Sequence, residues 1–125
     1  MTVHTIPSEA AFEDSIKGNK IALIDIGADW CPDCRAIDPI YQKQSENDSY
    51  KDVFFAKMNV DELKPLSASL DIRKIPTFLL YKDGVQIARL VEPKQPKLLI
   101  DFIESGLHVE TFGSEVSQGE AEVSR

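Results

Sequence analysis

Hydrophobic residues along the chain form short continuous runs separated by polar turns and by stretches with helical spacing. Continuous apolar runs occur at 20–26, 53–60 and 77–81. Runs of this length without polar alternation are typical of strands covered on both faces. The turn Lys82-Asp83-Gly84 follows the third run, and its Asp-Gly pair predicts a hairpin to a partner strand over 85–91.

Four stretches have apolar residues spaced for one face of a helix. These are residues 9–17 after Ser8, Cys34 to Gln44, a short stretch with Leu63, Leu66 and Leu70, and Leu98 to Ile103. Ser8 and Asp61 are expected to cap the first and third helices, and Gly106 to occupy the C′ position of the last.

The order of the predicted elements is β-α-β-α-β-α-β-β-α, with 2–6 as a short first strand. Parallel units followed by a terminal hairpin predict an α/β fold, a mixed sheet of four to five strands with helices on both faces.

Composition restricts the class of protein further. A chain of 125 residues is normally one domain, which we place at 1–106. Residues 107–125 are rich in Glu, Ser and Gly without an apolar period, and we predict that they form a disordered acidic tail. The net charge of −7 argues against nucleic acid and anionic membrane surfaces as partners. No secretory signal is recognisable at the start, so an intracellular, cytoplasmic location is expected.

The two cysteines of the chain lie in the stretch Trp30-Cys31-Pro32-Asp33-Cys34, between a predicted strand and a helix. A helix N-terminus favours a thiolate, and a close pair can cycle between dithiol and disulfide. The alternatives are an inert buried pair and a zinc site. Zinc needs four ligands, and the two histidines of the chain are near its opposite ends, so we expect no metal site.

Three charged residues stand near this motif or in the apolar runs. A carboxylate such as Asp25 within an apolar strand costs free energy unless it is protonated or paired. We expect Asp25 to be a proton acceptor for Cys34, with Lys57 of the next strand as its partner; the alternative is an Asp25 that faces solvent. Asp33 is expected to oppose a thiolate at Cys31, against the effect of the helix dipole; the alternative is a solvated aspartate at the helix start.

Over residues 2 to 106 the chain resembles the thioredoxin family. The resemblance rests on Asp25 six residues before Cys31, the Trp-Cys-x-x-Cys motif, Pro39 in the following helix, Lys57, Ile75-Pro76-Thr77 and the Lys-Asp-Gly turn. It implies the thioredoxin fold, with Cys31 as the exposed attacking thiol and the less exposed Cys34 as the resolving thiol.

The same resemblance implies a substrate-docking surface around the cysteines. Trp30 would cover the disulfide and offer an apolar face, with Pro32 and Asp33 between the cysteines. Without the resemblance, Pro76 would be assigned an ordinary trans bond. With it, the Ile75–Pro76 bond is expected to be cis, facing the cysteine pair, so that the Ile75 backbone can bind an extended substrate.

Four positions depart from the common family pattern. Pro32-Asp33 replaces the usual Gly-Pro, as in thioredoxin-related proteins that carry Trp-Cys-Pro-Asp-Cys. Gly27 stands where an aromatic residue is common, and Glu92 stands where glycine is common. The last two positions border the docking surface of the family, which suggests a restricted substrate range.

The expected function is thiol–disulfide oxidoreduction of protein or small-molecule disulfides by a monomer without a bound cofactor. The resemblance implies that electrons come from NADPH through a thioredoxin reductase. Two alternatives stay open: a reductase restricted to substrates such as cystine or glutathionylated thiols, and a non-catalytic binding module of the same fold.

Overall fold

The computed structural model describes residues 2–108. Within that range, five strands alternate with four α-helices and one short 3-10 helix. In chain order they are β1 (His4–Thr5), α1 (Glu9–Lys17), β2 (Ile21–Gly27), α2 (Pro32–Ser45), the 3-10 helix (Asp48–Tyr50), β3 (Val53–Asn59), α3 (Lys64–Ser69), β4 (Thr77–Lys82), β5 (Val85–Val91) and α4 (Pro96–Gly106).

The strands form one mixed sheet in the order β1-β3-β2-β4-β5. Strand β3 is parallel to β1 and β2, whereas β4 is antiparallel to both β2 and β5. In the parallel pair, Gly27 lies opposite Asn59 and Asp25 lies opposite Lys57. The predicted α/β architecture and element order are confirmed, and β2 is the central strand whose carboxyl end leads into the cysteines.

Helices cover both faces of the sheet because alternate residues of each strand point in opposite directions. One apolar core joins the sheet to α2 and α4; its largest members include Leu23, Tyr41, Phe55, Phe78, Leu99 and Ile103. The other joins the sheet to α1 and α3; it includes Phe12, Ile16, Ile24, Ile26, Leu66 and Leu79.

Tyr41 fixes α2 on the sheet. Its ring is fully buried, with centroid distances of 5.4 Å to Phe55 and 5.5 Å to Phe78. Its hydroxyl oxygen lies 2.9 Å from the carbonyl oxygen of Leu23 and 2.7 Å from that of Ala56, so one O–H group is shared between β2 and β3. This contact sets the position of the helix start above the carboxyl end of β2.

The predicted N-cap of α3 and the predicted C′ residue of α4 are both wrong. Each of these residues has a different role in the structure. Leu63, not Asp61, precedes α3, and it makes no side-chain capping bond. The Asp61 carboxylate instead accepts a hydrogen bond from Trp30. Gly106 is the last residue of α4, not its C′ residue, and it is buried against Leu80. A small residue is required there because α4 approaches β4 closely.

Only the first two residues of the predicted acidic tail belong to the described part of the chain. Leu107 and His108 form a turn after α4. The prediction of disorder for the rest falls on 109–125, outside the described residues. Within 2–108, no helix combines the length and apolar character needed to cross a bilayer.

Candidate active site

Cys31 and Cys34 form a disulfide at the start of α2. Cys31 is the N-cap residue of the helix, and its sulfur accepts a hydrogen bond from the backbone N–H of Cys34 at 3.1 Å. Pro32 at the first helical position fixes a helical φ and has no N–H to leave unpaired. The local sequence therefore places one sulfur at the positive end of the helix dipole, where a thiolate would be stabilised.

The relative exposure of the two cysteines is the reverse of the expectation. Cys31 is 4% exposed, whereas Cys34 is half-buried. The Cys31 sulfur lies against the backbone, with the Ile75 carbonyl oxygen at 4.0 Å. Gly27 flanks Cys34 and has no side chain to cover it. The sequence did not indicate this difference in exposure. Ile75, which lies against Cys31, and Gly27, which leaves Cys34 open, both come from other segments of the chain.

Trp30 and the Ile75–Pro76 bond lie on the Cys31 side of the pair. Trp30 is 63% exposed, as expected for a docking residue, and its indole Nε1–H donates to an Asp61 oxygen at 2.8 Å. The Ile75–Pro76 bond is cis, which confirms the geometry that the family resemblance implied. Ile75 is partly exposed beside the Cys31 sulfur, whereas the Pro76 side chain is fully buried.

Glu92 directly follows β5 and lies next to Pro76. Its backbone N–H donates to the carbonyl oxygen of Pro76 at 2.8 Å, which ties the two loops together. Its φ of 47° lies in the left-handed region, where a side chain costs about 1 kcal/mol or more and glycine does not. The backbone conformation here therefore favours glycine, the residue that the family resemblance led us to expect at this position.

Asp25 is buried beneath the start of α2, with 6% of its surface exposed, so the solvent-facing alternative is excluded. Desolvation, together with the nearby negative charge of Asp38, raises its pKa from 3.8 to about 7, although Lys57 acts in the opposite direction. A carboxyl group with a pKa near 7 can exchange a proton at neutral pH.

Lys57 is not the direct ion-pair partner of Asp25. Its backbone is in register with Asp25 across β2 and β3, but its ammonium group pairs with the Asp38 carboxylate at 3.5 Å. Sequence reasoning missed Asp38. It lies four residues after Cys34 and so on the same face of α2, and this spacing could have indicated its proximity.

Asp33 is exposed at the first turn of α2, and a second missed residue lies beside it. The Lys94 ammonium group is 3.6 Å from an Asp33 carboxylate oxygen, and both side chains are largely exposed. The cation partly offsets the negative charge that Asp33 places inside the motif. No local pattern could indicate this pair because the loop after β5 supplies Lys94.

These residues can support dithiol–disulfide exchange: a capped sulfur, a second sulfur one turn later, a buried carboxyl group and an open docking surface. Among residues 2–108, no three His, Cys, Asp or Glu side chains are grouped to hold a metal ion.

Comparisons with known proteins agree with this chemistry. The family model described as Thioredoxin matches residues 3–105. A thioredoxin of Alternaria alternata is 40% identical over 106 residues, which cover 84% of this chain and 87% of the relative. Thioredoxin-2 of Pyricularia oryzae is 38% identical over 98 residues; the match covers 78% of this chain but only 56% of that relative.

The fold comparison gives the same result. The crystal structure of a Malassezia sympodialis thioredoxin superposes with a TM-score of 0.78 and 32% identity, covering 84% of this chain and 90% of that one. The redox-active cysteine pair and these relatives favour catalysis over a binding module. The chain therefore belongs to the thioredoxin family and is a thiol–disulfide oxidoreductase of the protein-disulfide reductase type.

Proposed function

We propose that Cys31 attacks substrate disulfides and that Cys34 resolves the mixed disulfide. The observation that carries this assignment is the N-cap position of Cys31, whose sulfur receives the Cys34 N–H at 3.1 Å. The same donor and the helix dipole stabilise negative charge on that sulfur once the pair is reduced.

The cycle then has two exchange steps. The Cys31 thiolate attacks one sulfur of the substrate, forms a mixed disulfide and releases the other substrate sulfur as a thiolate. Cys34 loses its proton and attacks the Cys31 sulfur, which re-forms the internal disulfide and releases the second substrate thiolate. The substrate gains two electrons, and the enzyme is left oxidised.

Asp25 is the proton acceptor for Cys34 in this proposal. Both residues line one cavity, and a pKa of about 7 allows the carboxylate to take up a proton near neutral pH. Lys57 and Asp38 adjust the field at Asp25 and act as positioning residues.

The proposed protein-docking surface consists of Trp30, Pro32, Asp33, Ile75 and Glu92. Pro76 is fully buried and supports this surface, because its carbonyl oxygen accepts the Glu92 N–H at 2.8 Å. The exposed indole supplies apolar contact area. The Ile75 backbone beside the Cys31 sulfur can hydrogen-bond an extended substrate segment.

We further propose that a thioredoxin reductase returns the electrons from NADPH, and that the protein acts as a cytoplasmic monomer on disulfide-containing proteins. The family resemblance supports this electron source. Thiol–disulfide exchange between the cysteines and a substrate does not itself require a bound cofactor.

Insulin reduction driven by NADPH and thioredoxin reductase tests the proposed function. Rapid NADPH consumption that requires the chain, insulin and the reductase together is the expected result. NADPH consumption with cystine but not with insulin would point to a narrow-specificity reductase. No consumption with any disulfide would contradict the electron source.

The Asp33–Lys94 pair should shift the pH at which the Cys31 thiolate forms. Asp33→Asn removes a negative charge, so we expect the thiolate to form at a lower pH, while Lys94→Ala should have the opposite effect. The effects are small because both side chains are exposed and screened. Thiolate ultraviolet absorbance of the reduced protein measures both effects, and shifts in the same direction would contradict an electrostatic action of these two side chains on Cys31.

A further inference from the structure

A cavity of about 430 Å³ opens beside Cys34, at the carboxyl ends of β2 and β3. Its wall includes Cys34, Gly27 and Asn59, whereas Cys31 and Trp30 are not part of its lining. It is therefore a second approach to the disulfide, separate from the docking surface beside Cys31. The carboxyl end of parallel strands is a common place for ligand sites in open α/β sheets.

Gly27 keeps this approach open. A Cβ atom at position 27 would lie 2.9 Å from the Cys34 sulfur and 3.3 Å from its Cβ. The first distance is shorter than a van der Waals contact, so any side chain there would displace or cover Cys34. Without one, Cys34 is the more exposed residue of the pair, and it lines the cavity.

We propose that small cationic aminothiols and their disulfides exchange directly with Cys34 through this cavity. The inference rests on the dithiol–disulfide cycle of the proposed function but assigns a second entrance to it. The volume suits a small molecule and not a protein loop with its flanking chain.

The charges around the cavity favour cationic ligands over anionic ones. Besides the buried carboxyl group, the wall carries Asp29, Asp38 and Glu62 against Arg35 and Lys57. Lys57 pairs with Asp38 at 3.5 Å, whereas Arg35 donates to the neutral Asp29 carbonyl oxygen at 2.7 Å and keeps its charge. Three carboxylates therefore face two cations, even without a charge on Asp25. The net negative wall attracts an ammonium group and repels a carboxylate or sulfonate.

The exchange balances without another reactant. An aminothiolate attacks the Cys34 sulfur, the bond to Cys31 breaks, and Cys31 leaves as the thiolate stabilised by its N-cap hydrogen bond. A second aminothiolate attacks the bound aminothiol sulfur, releasing a small disulfide and the Cys34 thiolate. Two small thiols thus supply two electrons; in reverse, the dithiol reduces a small cationic disulfide.

The test measures how fast Cys34 alone reacts, in the full chain carrying Cys31→Ser. The probes are cystamine, which is cationic, and the disulfide of 2-mercaptoethanesulfonate, which is anionic; mass spectrometry follows the adducts. We expect cystamine to react at least about tenfold faster with the folded protein, after correction for the reactivity of each probe with a free small thiol.

Two charge-changing substitutions test whether the cavity wall causes the preference for cystamine, and a third tests whether Gly27 keeps the cavity open. Glu62→Lys, at an exposed wall position, should reduce the cystamine preference by about threefold or more. Asp52→Lys makes the same charge change at an exposed position near the opposite end of β3 and should leave the preference unchanged. Gly27→Phe should slow the Cys34 adduct while leaving Cys31 reactive in a parallel Cys34→Ser chain, which also checks that this variant folds.

Lack of charge preference at Cys34, or an equal effect of Glu62→Lys and Asp52→Lys, would overturn the inference. If reductase-driven insulin reduction persists in the wild type while Cys34 does not react with either probe, only the second entrance fails. If Cys34 reacts as expected but insulin is not reduced, the proposed function fails and the entrance stands.

Discussion

Cys31→Ser should abolish disulfide reduction, whereas Cys34→Ser should stop the reaction at a covalent intermediate. Without the Cys31 sulfur there is no capped thiolate to attack the substrate, and we expect turnover to fall by about a thousandfold or more. Without the Cys34 sulfur, attack still occurs, but the mixed disulfide between Cys31 and the substrate cannot be resolved. The measurements are insulin reduction for the first variant and mass spectrometry of trapped adducts for the second.

The double variant Cys31→Ser/Cys34→Ser is the control for both experiments. It should neither turn over nor trap substrate, although its docking surface is unchanged. Adducts that form on Cys34 but not on Cys31 when protein disulfides are offered would reverse the proposed roles.

Asp25→Asn should make the protein more stable at alkaline pH and slower in turnover. Because folding raises the pKa of Asp25 from 3.8 to about 7, the folded protein binds the proton more tightly than the unfolded chain. Stability linked to Asp25 is therefore fully present below about pH 4 and is lost as the pH rises to about 8. The pKa difference corresponds to about 4 kcal/mol, and we expect the variant to recover about 2 to 4 kcal/mol at pH 8.

Urea unfolding of wild type and variant at several pH values measures this effect. The two should differ little near pH 4 and diverge between about pH 4 and 8. Asp38→Asn is the matched control: it removes one cause of the raised pKa, so the loss of stability should begin at the same pH, end at a lower pH and be smaller in total. Parallel stability curves for wild type and Asp25→Asn would contradict the buried carboxyl assignment.

Turnover supplies a second readout that a purely structural role would not change. Removal of the proton acceptor should slow resolution of the mixed disulfide by about tenfold to a hundredfold near neutral pH. Resolution rates that remain the same in wild type and Asp25→Asn across neutral pH would contradict the catalytic role of Asp25, even if the stability prediction holds.

Features coded by local sequence were predictable. The apolar runs specified the strands, and Ser8 caps α1 as expected because the capping bond spans only three residues. The Asp83-Gly84 pair adopts positive φ at both positions, as a tight hairpin requires. The anomaly of Asp25 in an apolar strand correctly indicated a buried carboxyl group.

Features set by distant segments were not predictable in the same way. Asp61 stands between a strand and a helix, where an N-cap residue is expected. Its carboxylate instead accepts a hydrogen bond from Trp30, which belongs to another loop. The exposure of the cysteines depends on Gly27 and Ile75, which precede and follow the motif in different elements. Such contacts depend on tertiary packing, which hydrophobic periodicity does not encode.

Trp30 gives the molecule a built-in optical signal. It is the chain's single tryptophan, it directly precedes Cys31, and a hydrogen bond to Asp61 holds its ring. A disulfide quenches the fluorescence of an adjacent indole, and its reduction to two thiols relieves that quenching. We therefore expect emission from the unlabelled protein to follow the fraction reduced, so that the exchange can be timed without a coupled enzyme or an attached dye.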